Sequence, residues 1–72
     1  MEIYDKEQDI KNAMDSVNLI NETIFKEKTD ENLDKVMRNA EHLQIIIDRH
    51  LLEGEEALAF LTAIGKAEKY IE

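Results

Sequence analysis

The chain has 72 residues, a net charge of −8 and 43% hydrophobic residues, which gives one small domain rather than a disordered tail. It lacks cysteine, which excludes disulfides, thiolate zinc sites and cysteine nucleophiles. Its acidity disfavours phosphate backbones and anionic membranes, and no apolar run approaches the ~20 residues of a membrane span.

With no proline and an abundance of Ala, Leu, Glu, Lys, Met and Gln, every segment favours helix, and none alternates as a half-buried strand would. A first helix is expected over about 5–25. Asp5 followed by Gln8 has the pattern of a capping box, Asp5 accepting from backbone N–H groups and Gln8 reaching back. Ile10, Ala13, Met14, Val17, Ile20, Ile24 and Phe25 recur at spacings of three and four and form its apolar stripe. Lys26-Glu27-Lys28 breaks this pattern, and Thr29 and Asp30 are N-cap types for a second helix over about 31–52. Its stripe is Leu33, Val36, Met37, Ala40, Leu43, Ile47 and Leu51, and Gly54 is the expected left-handed stop. A third helix over about 55–71 follows, with Glu55 and Glu56 at its positive end and Lys66 and Lys69 toward its negative end. Ala57, Phe60, Leu61, Ile64, Ala67 and Ile71 are its expected core face, and Gly65 would admit a neighbouring backbone. Glu7–Lys11, Glu22–Lys26, Glu31–Lys35 and Asp34–Arg38 are acid-before-base pairs at i,i+4 and mark solvated surface.

Three helices joined by short turns form an all-α fold, most simply a small three-helix antiparallel bundle. A dimer that exchanges hairpins would satisfy the same stripes, and a core this small benefits from self-association.

Apolar residues that fall off the stripes are the candidates for contact with another chain. Ile45 and Leu52 point nearly opposite the stripe of the second helix, with Ile46 on its flank. Leu19 is off-stripe on the first helix, and Ala63 and Tyr70 are off-stripe on the third. Ile45, Leu52, Ala63 and Tyr70 therefore make up the expected partner interface. Scattered surface hydrophobes are the plain alternative, and single residues such as Leu19 fit it best.

His42 and His50 differ by about 80° in direction on one helix, so they do not converge on one ion, and no Glu-x-x-His pair supplies a di-iron pattern. Ser16, the only serine, has no activating base nearby in sequence, and there is no glycine-rich phosphate loop. No catalytic residue, metal ligand or cofactor is assigned. The nine basic residues are dispersed among acids, so direct nucleic-acid binding is not expected. The converse reading is an acidic inhibitor or DNA mimic that binds a basic protein. Asp5, Glu7, Asp9 and Asp15, together with Glu53, Glu55 and Glu56, are its candidate carboxylates, and solvated faces are the plainer account of them.

The stretch Arg38-Asn39-Ala40-Glu41-His42-Leu43-Gln44-Ile45-Ile46-Ile47 resembles a segment of small uncharacterised proteins of marine tailed bacteriophages, in which an Arg-Asn pair precedes His-Leu and large aliphatics. The Gly65-Lys66-Ala67 and Tyr70-Ile71 ending is similar in character, while Asp48-Arg49-His50-Leu51-Leu52 stands where those proteins often carry aromatics. The resemblance covers about half of the chain. It implies a phage accessory protein in a bacterial cytoplasm or virion and transfers no functional residue.

Composition gives the same setting. The acidic start Met1-Glu2-Ile3-Tyr4-Asp5 lacks the basic character of a signal peptide, which points to the cytoplasm. The expectation is a non-enzymatic helical protein that acts by protein–protein contact, as a homo-oligomer or with another protein, and not at a membrane.

Overall fold

A computed structural model describes residues 5–72, so the acidic opening 1–4 and the signal-peptide argument built on it lie outside the described residues. Three helices fold as an antiparallel bundle: α1 (Lys6–Thr23), α2 (Asp30–His50) and α3 (Glu55–Ile71). α2 runs against the other two, as three cross-helix contacts establish. Asp9 near the start of α1 meets His50 at the end of α2, Ser16 meets His42 midway, and Tyr70 near the end of α3 meets the 26–27 turn.

The helix starts follow from their caps. Asp5 Oδ1 accepts the Gln8 backbone N–H at 3.2 Å, and Thr29 Oγ1 accepts that of Asn32 at 3.1 Å. The capping box at Asp5 is only half made, because the Gln8 amide donates to Asn12 Oδ1 at 3.1 Å instead of reaching back. α1 stops at Thr23, earlier than the stripe suggests, and Phe25 is left exposed in the turn.

The stop of α2 differs from expectation in a way that reshapes the core. Leu51, not Gly54, takes the left-handed conformation, at φ 51° and ψ 46°. Its N–H and that of Leu52 both return to the Ile47 carbonyl, the second at 3.0 Å, so the last turn closes as a Schellman-type cap. Gly54 is the N-cap residue of α3, at φ 63° and ψ −135°. Leu52 therefore lies beyond the helix, and its direction is set by the reversal at Leu51 rather than by helical period. It turns inward and is 6% exposed.

The core gathers Ala13, Val17 and Ile20 of α1, Val36, Leu43 and Ile46 of α2, Leu52, and Ala57, Phe60, Ala63, Ala67 and Tyr70 of α3. On α3 the buried face is turned by about 60° from the stripe drawn through its largest hydrophobics, taking ~100° per residue. Leu61 and Ile71 are exposed as a result, while Ala63 and Tyr70 are 1% and 7% exposed. Two causes act together. Alanine at 57, 63 and 67 lets α3 sit close to its neighbours. At the far end Tyr70 buries its ring and donates its O–H between the carbonyls of Lys26 and Glu27, at 3.0 and 2.7 Å. Gly65 plays no part in this approach, since it is exposed and a Cβ there would meet nothing within 4 Å.

Polar groups inside the bundle are paired. Thr23 Oγ1 donates to the Leu19 carbonyl at 2.7 Å, Ser16 has His42, and among the described residues no buried side-chain polar atom lacks a partner. Of the anticipated i,i+4 ion pairs, Asp34–Arg38 closes, at 2.7 Å on an exposed face.

Leu51 pays a steric penalty for its left-handed backbone, and its side chain is exposed, so nothing is lost by deleting it. Leu51→Gly should stabilise the fold by about 0.5–1 kcal/mol. Thermal unfolding would then show Tm raised by about 2–8 °C. A lowered Tm would mean that the α2–α3 turn is held by something other than its backbone geometry.

Candidate functional site

The bundle leaves little room for an enclosed site. The bundle extends 42 × 22 × 16 Å, and its interior is filled by the core side chains. Chemistry or recognition must therefore take place at the surface, and two polar clusters and two recesses are the places to examine.

Both histidines are used to join α1 to α2. His42 Nδ1 lies 2.8 Å from Ser16 Oγ, a distance suited to a nucleophile and its base. Ser16 is only 4% exposed, however, and lies between the two helices. The contact serves to satisfy a buried hydroxyl. His50 Nε2 and Arg49 Nη1 both donate to Asp9 Oδ2, at 2.8 and 2.9 Å. The hydrogen bond from His50, then that from Arg49, holds the Asp9 carboxyl below its ordinary value. Among the described residues no group of three His, Cys, Asp or Glu side chains is placed to hold a metal ion.

Three of the carboxylates that could imitate a DNA backbone are occupied with the fold itself. Asp5 caps α1, Asp9 is bound by Arg49 and His50, and Glu56 pairs with Lys6 at 3.3 Å.

The expected partner interface is dispersed. Leu52, Ala63 and Tyr70 are core residues of the chain's own fold and are not available to a second chain. Helical projection misplaced Leu52 because the helix ends before it. Ala63 and Tyr70 were misplaced because a stripe drawn by hydrophobicity favours large side chains over alanine and over a tyrosine with a hydrogen-bonded hydroxyl. Ile45 does stay outside, 51% exposed, but it has lost the companion that made it a patch.

A more continuous apolar surface lies elsewhere, in the groove between α2 and α3. Met37 and Ala40 line one wall, and Ile64, Ala67 and Ile71 the other, around a recess of about 270 Å³. Leu61, one turn before Ile64 on α3, is also exposed and extends the strip. The charged residues lining the groove are Glu41 and Glu68. On the opposite side of α3, a second recess of about 300 Å³ is lined by Ile24 and Tyr70 with Lys28, Lys66 and Lys69. The Lys28 ammonium stands 5.7 Å from the centre of the Tyr70 ring, within cation–π range. The sequence contained one signal for the groove: Met37 and Ile71 were assigned to core stripes that contain more large apolar residues than so small a bundle can cover.

No helix among the described residues is long and apolar enough to cross a membrane. Comparison with protein-family models, with curated proteins and with solved structures finds no match.

The Asp9 cluster makes a pH-dependent contribution with a definite sign. A depressed carboxyl adds stability that is complete above the ordinary Asp value and lost as pH falls through the lowered one. Asp9→Asn should therefore unfold at lower temperature than the parent chain at neutral pH, and the gap should close as pH falls through and below the ordinary aspartate range. Thermal unfolding across that range checks it. A gap that stays constant would mean that ionisation of Asp9 does not stabilise the α1–α2 contact.

Proposed function

We propose that this chain is a non-enzymatic binding module that acts by protein–protein contact, with the α2–α3 groove as its contact surface. The observation that carries this reading is the exposed apolar set of Met37, Leu61 and Ile71, with half-buried Ile64 among them, which remains although the core beside it is closed and its polar groups are paired. Exposed apolar residues aligned along a groove are what a docking site requires, whereas isolated ones such as Ile45 are ordinary surface. The recess lies just below the ~300 Å³ at which small-molecule pockets begin, and it is open along its length, which suits inserted side chains better than a whole ligand.

The two stretches that resemble small phage proteins supply both walls. Segment 38–47 provides Ala40, Glu41 and Gln44, and the C-terminal stretch provides Ala67 and Ile71. An accessory role, which that resemblance implies, would be exercised through this groove. Self-association is the second reading, favoured by the open strip on so small a chain. It would set Glu41 and Glu68 of one copy against those of another, a like-charge cost that a partner of different sequence avoids.

A photo-cross-linking amino acid at position 37, compared with the same group at position 45, tests the contact surface in cells that express the chain. Position 37 should yield a discrete adduct that is lost on Ile71→Glu, while position 45 yields none. Loss of the adduct is read beside thermal unfolding, which Ile71→Glu should leave within about 0.5 kcal/mol of the parent because Ile71 is already exposed. Equal adducts from both positions, or none from either, would remove the groove as the contact surface.

A further inference from the structure

The charges around the groove narrow its occupant, and this step rests on the reading of the groove as a contact surface. We infer that the α2–α3 groove receives a basic amphipathic helix from another protein, with apolar residues at i, i+3 or i+4 and i+7 over Met37, Ile64 and Ile71, and lysine or arginine beside Glu41 and Glu68.

Shape gives the first part. Two antiparallel helices form a trough, and an apolar stripe laid along it is the helix-in-groove mode of recognition. From Leu61 to Ile71 the strip runs about 15 Å, close to three helical turns, which matches an i to i+7 or i+10 set of anchors. Met37 suits such a site because its flexible thioether adapts to the side chain it meets.

Charge gives the second part. Both ionisable residues lining the groove are acidic, the lysines of α3 and the turn collect at the opposite recess, and the whole chain carries −8. Charges facing a docked helix set its sign, because like charges placed together across an interface are rejected. A second copy paired groove to groove does not fit this requirement, since it would set Glu41 and Glu68 against their own equivalents. An anionic lipid surface is rejected on the same ground.

A yeast-displayed library of helical peptides, with randomised apolar and charged positions, provides the probe. Selection against the intact chain should enrich peptides that combine an apolar stripe with basic flanks. A selected peptide should perturb the NMR signals of Met37, Ala40, Ile64 and Ile71. The double variant E41K/E68K should weaken it at least tenfold, while the charge-matched E31K/E53K, with both changes outside the groove, should weaken it less than threefold. Scrambling the stripe at fixed composition should also cost at least tenfold.

Equal weakening by the two double variants, or equal binding of the scrambled peptide, would reduce the effect to general attraction between opposite charges and overturn the inference. Enrichment of acidic or neutral helices in the same groove would also overturn it, while leaving the contact reading intact. Perturbation confined to other faces, or no enrichment together with a solution mass that shows copies paired through the groove, would overturn it in favour of another surface or of self-association. No enrichment from a monomeric chain would overturn it as well. The adduct at position 37 then decides separately whether the groove is a contact surface at all.

Discussion

The rotation of α3 about its own axis is the constraint on which the rest of this structure depends. Alanines at 57, 63 and 67 let the helix approach α1 and α2 closely, and the hydroxyl of Tyr70 fixes its far end to the carbonyls of the α1–α2 turn. That hydrogen bond does more than add its own ~1 kcal/mol. A tyrosine hydroxyl taken from water must find a partner, and only one rotation of α3 delivers it to Lys26 and Glu27. The near end is set by the left-handed turn at Leu51, which sends Leu52 into the core and starts α3 close to the end of α2. With both ends fixed, Ile64 and Ile71 are carried to the α2 side, Leu61 stays exposed, and the groove is the consequence.

The same constraint explains which parts of the fold were legible in the sequence. Helix starts depend on local chemistry, so Thr29 and Asp5 read correctly as caps, and the absence of proline and of strand alternation gave three helices. α1 also read well at Ala13, Val17 and Ile20, where period and size agree. The rotation of α3 was not legible, because beside Phe60 its buried face is built from alanines and a tyrosine, while Leu58, Leu61 and Ile71 face outward. Hydrophobic period weighs residues by apolarity, but a tight helix–helix contact selects for small size. Gly54 misled for a related reason: glycine is the usual left-handed residue, yet Leu51 adopts that conformation three positions earlier.

The candidate site follows the same division. Of Ile45, Leu52, Ala63 and Tyr70, all off the expected stripes, three are core residues: Ala63 and Tyr70 on the buried face of α3, and Leu52 past the end of α2. Leu61 and Ile71, expected in the core, are exposed instead. The general idea, an apolar surface outside the core, was present in the sequence as apolar residues that fall outside a single helical stripe. Its location required the tertiary setting of one helix. The histidines show a similar shift: their spacing argued against a shared ion, and folding assigns each to a separate contact with α1, His42 to Ser16 and His50 to Asp9.

α3 presents Ala57, Ala63 and Ala67 to the core and leaves Leu61 and Ile71 exposed. Methyl NMR of the free chain with a soluble paramagnetic probe measures that difference directly, because signals broaden in proportion to their exposure. The account predicts strong broadening for the methyls of Met37, Leu61 and Ile71, and protection for Ala57, Ala63 and Ala67. Protection of Leu61 and Ile71 with broadening of Ala63 would restore the face drawn by hydrophobicity and contradict both the helix rotation and the groove.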